Sequence, residues 1–162
     1  MSDVIDHFES IVRRAYRFTE APSDTAGEIH PFDYRDIHPN IPSQVRNLFD
    51  DGHFSQATFE TFKFLDRVVQ KCAAIDESGF KLMMKAFSET SPSLQLTSLS
   101  TQSERDEQKG FQFLFAGSML AIRNPRGHEV SLSESPDQCL NHLSLASLLL
   151  RRLEESSFPI AV

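Results

Sequence analysis

Apolar residues recur at three- and four-residue spacing along most of the chain, and no segment shows sustained alternation. That period is the helical one. Val4, Ile5, Phe8, Ile11, Val12 and Ala15 share a face and predict an N-terminal helix over residues 1–20. Residues 21–41 break the pattern with Pro22, Gly27, Pro31 and Pro39, as a linker would. Pro42 suits a first helical turn. Val45, Leu48 and Phe49 follow it, and Asp50-Asp51-Gly52 ends the short helix. A long helix is predicted at about 54–74 from Phe54, Ala57, Phe64, Leu65, Val68, Val69 and Cys72. Gly79 to Phe87 reads as a short amphipathic helix with Leu82, Met83, Ala86 and Phe87 inward.

Residues 88–102 are rich in Ser and Thr and form a polar connection, with room for a short extended piece at Leu94-Gln95-Leu96. The third long helix is predicted from an N-cap at Ser103, with Glu104, Asp106 and Glu107 near the positive end of the dipole. Its stripe is Phe111, Leu114, Phe115, Ser118, Met119 and Ile122. Ser135-Pro136-Asp137-Gln138 supplies a cap, a proline at the first position and the Gln of a capping box for the fourth. Leu140, Leu143, Leu149, Leu150 and Leu153 pack that helix, and Leu145 and Leu148 make it apolar on more than one face. The fold class is therefore all-α. It is an up-and-down bundle of four principal helices, with an extra N-terminal helix and a short helix between the second and third long ones. The organisation reads as an N-terminal arm and linker over 1–36, a bundle domain over 37–156 and a tail over 157–162.

Composition narrows the function classes. Among 162 residues, Lys and Arg number 16 and Asp and Glu 23, a net charge of −7. This excludes a uniformly basic nucleic-acid coat but leaves room for a local cationic site. Fourteen Phe and no Trp point to rings used as packing mass. Cys72 and Cys139 make neither a zinc cluster nor a disulfide framework and read as buried thiols in a reducing compartment. No signal peptide begins the chain, and no apolar stretch approaches a membrane span. The expectation is a soluble cytoplasmic protein that does not enter a membrane.

The polar residues the fold does not need are few. The six histidines include no i, i+4 pair, and Cys-x-x-Cys, EF-hand, phosphate-loop, dinucleotide-loop and Gly-x-Ser-x-Gly patterns are absent, so no metal and no cofactor is expected. His53 beside Gly52 reads as a turn residue at the surface. The informative stretch is Ile122-Arg123-Asn124-Pro125-Arg126-Gly127-His128. A residue before proline is pushed from helical geometry, so the third helix should kink or end near Asn124. Taken alone, the stretch is equally a helix C-terminus carrying cations that the dipole favours.

Arg123, four residues and His128, with Asn124-Pro125 after the Arg, resembles the R-x4–6-H signature of the HEPN superfamily of helical nucleases and nucleotide-binding domains. Together with residues 48–54 (LFDDGHF), the apolar run Gly117 to Ile122 and the Leu-rich segment 143–153, it resembles the Ymh-like branch, from about residue 38 to 154. The first 36 residues carry no part of this likeness.

The resemblance implies a metal-independent endoribonuclease with two motifs joined across a homodimer, acting as a toxin or antiphage effector. Metal-free RNA cleavage needs a base for the 2′-OH, an acid for the departing 5′-oxygen and a cation for the phosphorane. His can serve either proton role near neutral pH, and Arg matches phosphate oxygens. His128 is accordingly expected to transfer protons and Arg123 to contact phosphate. Asn124 would orient the phosphate or the His by hydrogen bonding, Arg126 would be a secondary phosphate contact, and Lys109 a weaker one. The acidic chain favours a confined cationic cleft and single-stranded or looped RNA. A toxic nuclease also implies a restraining or triggering partner, such as an antitoxin or sensor protein. Two other readings compete. One is a non-catalytic HEPN module that binds a nucleotide or a partner protein. The other is a structural helical dimer in which Arg123 and His128 only cap a helix.

Overall fold

The computed structural model describes residues 29–128 and 132–160. The chain divides into two units, Met1–His30 and Pro31–Val162. The predicted N-terminal helix lies outside the described residues. The second unit is all-helical, and no strand occurs among the described residues. Its helices are α1 (Pro31–Tyr34), α2 (Ser43–Asp50), α3 (Phe54–Ala73), α4 (Gly79–Ala86), α5 (Gln102–Ser118), α6 (Asn124–His128) and α7 (Pro136–Glu155). A π-helical segment, Met119–Arg123, joins α5 to α6. No helix among the described residues is long and apolar enough to cross a membrane.

Local chemistry sets the helix ends. After α2, Gly52 adopts φ +79°, where a side chain would be strained. Its N–H donates to Phe49 O at 3.0 Å and that of His53 to Leu48 O at 2.8 Å, the paired bonds of a Schellman stop. The turn delivers the chain directly into α3. At the start of α7, Ser135 and Gln138 form the predicted reciprocal capping box. The start of α5 differs from expectation. Its N-cap is Thr101, whose side chain accepts from the Glu104 N–H while the Glu104 carboxylate accepts from the Thr101 N–H. Thr-x-x-Glu closes a box that a cap at Ser103 could not, so Ser103 lies inside the helix.

α3 is the central element: it packs against α2, α4, α6, α7 and the π-helical segment. Its face of Ala57, Phe62, Leu65, Val68 and Val69 is buried, as are Leu82, Met83, Ala86 and Phe87 around α4 and Leu143, Leu149, Leu150 and Leu153 on α7. Phe87 stacks on Phe115 with centroids 4.2 Å apart. Burying each such ring contributes on the order of 1.5–3 kcal/mol.

The inward face of α5 is less apolar than its sequence stripe suggests. Gln108 and Gln112 are buried on it, whereas Leu114 is 47% exposed. Gln108 holds the 88–101 connection: Oε1 accepts the Leu96 N–H at 2.8 Å, and Nε2 donates to Leu94 O and Phe87 O. Gln112 Nε2 donates to Met84 O at 2.7 Å. The Leu94-Gln95-Leu96 piece is thus tied down by a side chain, with no strand partner.

The third long helix does not end at Asn124. Asn124 keeps right-handed helical geometry (φ −65°, ψ −45°), and its N–H bonds to Met119 O, five residues back. Pro125 brings no N–H and in a regular helix would collide with the carbonyl four residues earlier. The wider π turn just before it accommodates the ring, so the rod runs on to His128.

Candidate active site

The continued rod puts Arg123 and His128 on one helical element, Arg123 closing the π segment and His128 closing α6. At about 1.5 Å per residue they are separated by roughly 7.5 Å along its axis. Arg123 is half-buried, and four residues surround it. Its guanidinium lies 5.9 Å from the centroid of Phe59 on α3, within cation–π range. Nη1 donates to Asn124 Oδ1 at 3.3 Å, so Asn124 touches the guanidinium directly. A Cβ on Gly79 would stand 3.9 Å from Nη1. Asp66 is the nearby acid: it is 6% exposed, and its Oδ1 accepts the Gly79 N–H at 2.7 Å. Burial pushes the Asp66 carboxyl above its ordinary range, while the Gly79 N–H and the charge of Arg123 pull it back. Arg123 Nε is buried with no hydrogen-bond partner.

Gly127 carries a steric requirement. A Cβ there would stand 3.0 Å from Phe59 Cε2, so a side chain at 127 would require the ring to give by a few tenths of an ångström. Phe59 is therefore a floor shared by Arg123 and Gly127.

Arg126 points elsewhere. Its side chain is 8% exposed, and its Nε donates to Glu134 Oε2 at 2.8 Å. Nη1 donates to Ile122 O at 2.9 Å. The Glu134 side chain is 1% exposed and also accepts from Thr58 Oγ1 at 3.0 Å. His142 Nδ1 lies 2.5 Å from Glu134 Oε1 and 3.4 Å from Arg126 Nη2. This network ties α6 to α3 and α7 through Glu134, two residues before α7. It borders a cavity of about 380 Å³ lined by His53, Ser55, Gln56, Arg126, Ser133 and Glu134. Cys139 is buried beside it, and burial, reinforced by the Glu134 charge, pushes its thiol up to about 11. Cys72 is only half-buried.

Lys109 stands roughly 20 Å from Arg123 along the same rod at about 1.5 Å per residue. It pairs with Glu89 at 3.2 Å. The structure thus brings Arg123, Asn124 and the backbone of His128 together, keeps Arg126 close but spends its donors inside the fold, and places Lys109 apart. Among the described residues no group of three His, Cys, Asp or Glu is arranged to hold a metal ion.

Three residues of the site were not named from sequence: Phe59, Asp66 and Glu134. Asp66 had a signal, since it is an acid inside the apolar stripe of α3 beside Phe62, Leu65 and Val69. Phe59 is one of fourteen Phe, and Glu134 sits in a Ser-rich stretch that resembles a surface connection.

No curated protein and no solved structure matches the chain. The Hypoth_Ymh family, described as proteins of unknown function, matches residues 35–153, the span that holds this whole site, and the chain belongs to that family.

Proposed function

We propose that this Ymh-family chain is a metal-independent endoribonuclease of the HEPN type, working as a homodimer. The observation that carries the reading is the setting of Arg123. It is held from below by Phe59, from the side by Asn124 and electrostatically by Asp66, and among the described residues its only side-chain hydrogen bond is the one to Asn124. A structural arginine would spend its fork inside the fold, as Arg126 does. Arg123 is built instead as a preoriented cation on the rod that ends in His128.

In the reaction, His128 takes the proton of the 2′-OH or delivers one to the leaving 5′-oxygen. Two copies of the site supply both roles. The 2′-oxygen attacks the adjacent phosphorus and the bond to the 5′-oxygen breaks, leaving a 2′,3′-cyclic phosphate. Arg123 stabilises the phosphorane, Asn124 fixes the guanidinium plane, and Arg126 positions α6 rather than the phosphate. The chemistry needs no metal or cofactor. Homodimerisation is supported by the outer side of the rod that carries Arg123, where Phe113 and Leu114 of α5 and Leu120 of the π-helical segment are 55%, 47% and 50% exposed. A cytoplasmic toxin or antiphage effector restrained by a partner protein fits such an activity.

The test is incubation of single-stranded RNA with wild type, Arg123→Ala and His128→Ala in EDTA. Wild type should cleave, and each variant should lose on the order of 10²–10⁴-fold in rate while keeping the same oligomeric state. Undiminished cleavage by His128→Ala would overturn the reading.

A further inference from the structure

The outward face of α3 carries charge that folding does not explain. Lys63, Arg67 and Lys71 repeat at four-residue spacing, and Arg67 and Lys71 are exposed. Like charges four apart repel and weaken a helix. Lys71, in the last turn, suits the dipole, but Lys63 and Arg67 in mid-helix gain nothing from it. A chain of net charge −7 nevertheless aligns these three cations. Glu60 neutralises only the first of them, at 3.0 Å from Lys63 Nζ, and among the described residues Arg67 and Lys71 form no ion pair.

The row begins at the candidate active site. Lys63 Nζ lies 5.9 Å from the Phe59 centroid, the same distance as the Arg123 guanidinium, so one ring bridges the two cations. Beyond Phe59, Lys63 and Arg67 border a pocket of about 260 Å³ with Pro42, Val45 and Phe64 in its walls. Gln44 and Glu60 complete the lining, Glu60 paired with Lys63, which among the described residues leaves Arg67 as the unpaired cation at the rim; such a mixed pocket suits a base below and its phosphates above. Successive positions four apart rise about 6 Å along a helix, close to the spacing of phosphates in an extended single strand.

We propose that α3 is the track for the RNA strand flanking the scissile phosphate: Lys63, Arg67 and Lys71 bind successive phosphates, and the Pro42–Val45–Phe64 pocket takes one flanking base. The inference rests on the ribonuclease reading and adds the path of the substrate. The ligand is single-stranded RNA, because a stiff duplex could not lower a base into this pocket.

The experiment measures binding of a fluorescent single-stranded RNA, 2′-O-methylated throughout to prevent cleavage, to the full chain over a range of KCl. It compares wild type with Lys63→Gln/Arg67→Gln/Lys71→Gln and with Arg151→Gln, which removes a cation from α7. The triple variant should bind at least tenfold more weakly. Its slope of log affinity against log salt should fall by roughly 2, three contacts at about 0.7 each. Arg151→Gln should match wild type. Phe64→Ala should weaken binding of the oligonucleotide without changing the slope, which separates pocket from phosphate contacts. An unchanged slope in the triple variant, or no binding by wild type, overturns the track. If wild type cleaves RNA while the triple variant keeps its slope, the nuclease reading survives and the track fails. If the slope falls but no RNA is cleaved, the track stands and the nuclease reading fails.

Discussion

Asp66 accepts the Gly79 N–H at 2.7 Å and lends its charge to Arg123, joining the start of α4 to the candidate catalytic cation. Burial raises the folded-state pKa of Asp66. For a raised carboxyl, the stabilising contribution is fully present below the unfolded value of 3.8 and is lost as pH rises through the folded pKa. Asp66→Asn keeps an acceptor for Gly79 and removes the buried charge. Thermal melting at pH 7 should show stability equal to or above wild type, while RNA cleavage falls at least tenfold because Arg123 loses its counter-charge. A parallel loss of both would make Asp66 a purely structural residue.

Gly127 and Phe59 should couple. A Cβ at 127 would stand 3.0 Å from the ring, so Gly127→Val should destabilise the chain by about 1–3 kcal/mol through overpacking. Phe59→Ala in the same chain should remove most of that penalty. A double-mutant cycle by urea unfolding checks this, and an interaction energy under about 0.5 kcal/mol would argue that the approach is relieved elsewhere.

Glu134 is the hub that fixes α6. Glu134→Ala leaves Arg126 buried without its carboxylate and should cost about 3–5 kcal/mol in denaturant unfolding. Surface ion pairs such as Arg46–Asp33 offer the contrast: Asp33→Ala should cost less than about 1 kcal/mol.

Much of this architecture was legible because helices announce themselves by period and caps. Ser135-Pro136-Asp137-Gln138 begins α7 as its chemistry dictates. The misread inner face of α5 has one cause: side chains that do backbone work. Gln108 and Gln112 satisfy carbonyls and an N–H of the loop and of α4, so α5 turns polar residues inward and leaves Leu114 outside. Pro125 predicts a kink or an end near Asn124; the helix departs from α geometry there but does not end, because a π turn is a change of hydrogen-bond register that apolar spacing does not record. The motif residues Arg123 and Asn124 could be located from sequence. Their supports could not, because Phe59 and Asp66 come from α3, far away along the chain.

The Thr101–Glu104 box predicts a pH effect with a definite sign. Hydrogen bonds from Ser100, Thr101 and Ser98 hold the Glu104 carboxyl down at about 2, below the ordinary 4.5. Its stabilising contribution is therefore complete above pH 4.5 and is lost as pH falls toward about 2. The stability gap between wild type and Glu104→Gln should be constant from pH 5 to 7 and shrink below about pH 4.5. Denaturant unfolding across that range checks it.

The central claim is that a 2′-hydroxyl of the substrate is the nucleophile, activated by His128 and countered by Arg123. It is tested most directly by the ends of the products from an RNA of defined sequence, beside the same RNA with a single 2′-deoxy sugar at the cleavage position. The account predicts 2′,3′-cyclic phosphate and 5′-hydroxyl ends, no cleavage at the deoxy position, and neither product from His128→Ala. Products with 3′-hydroxyl ends, or equal cleavage at the deoxy position, would contradict it.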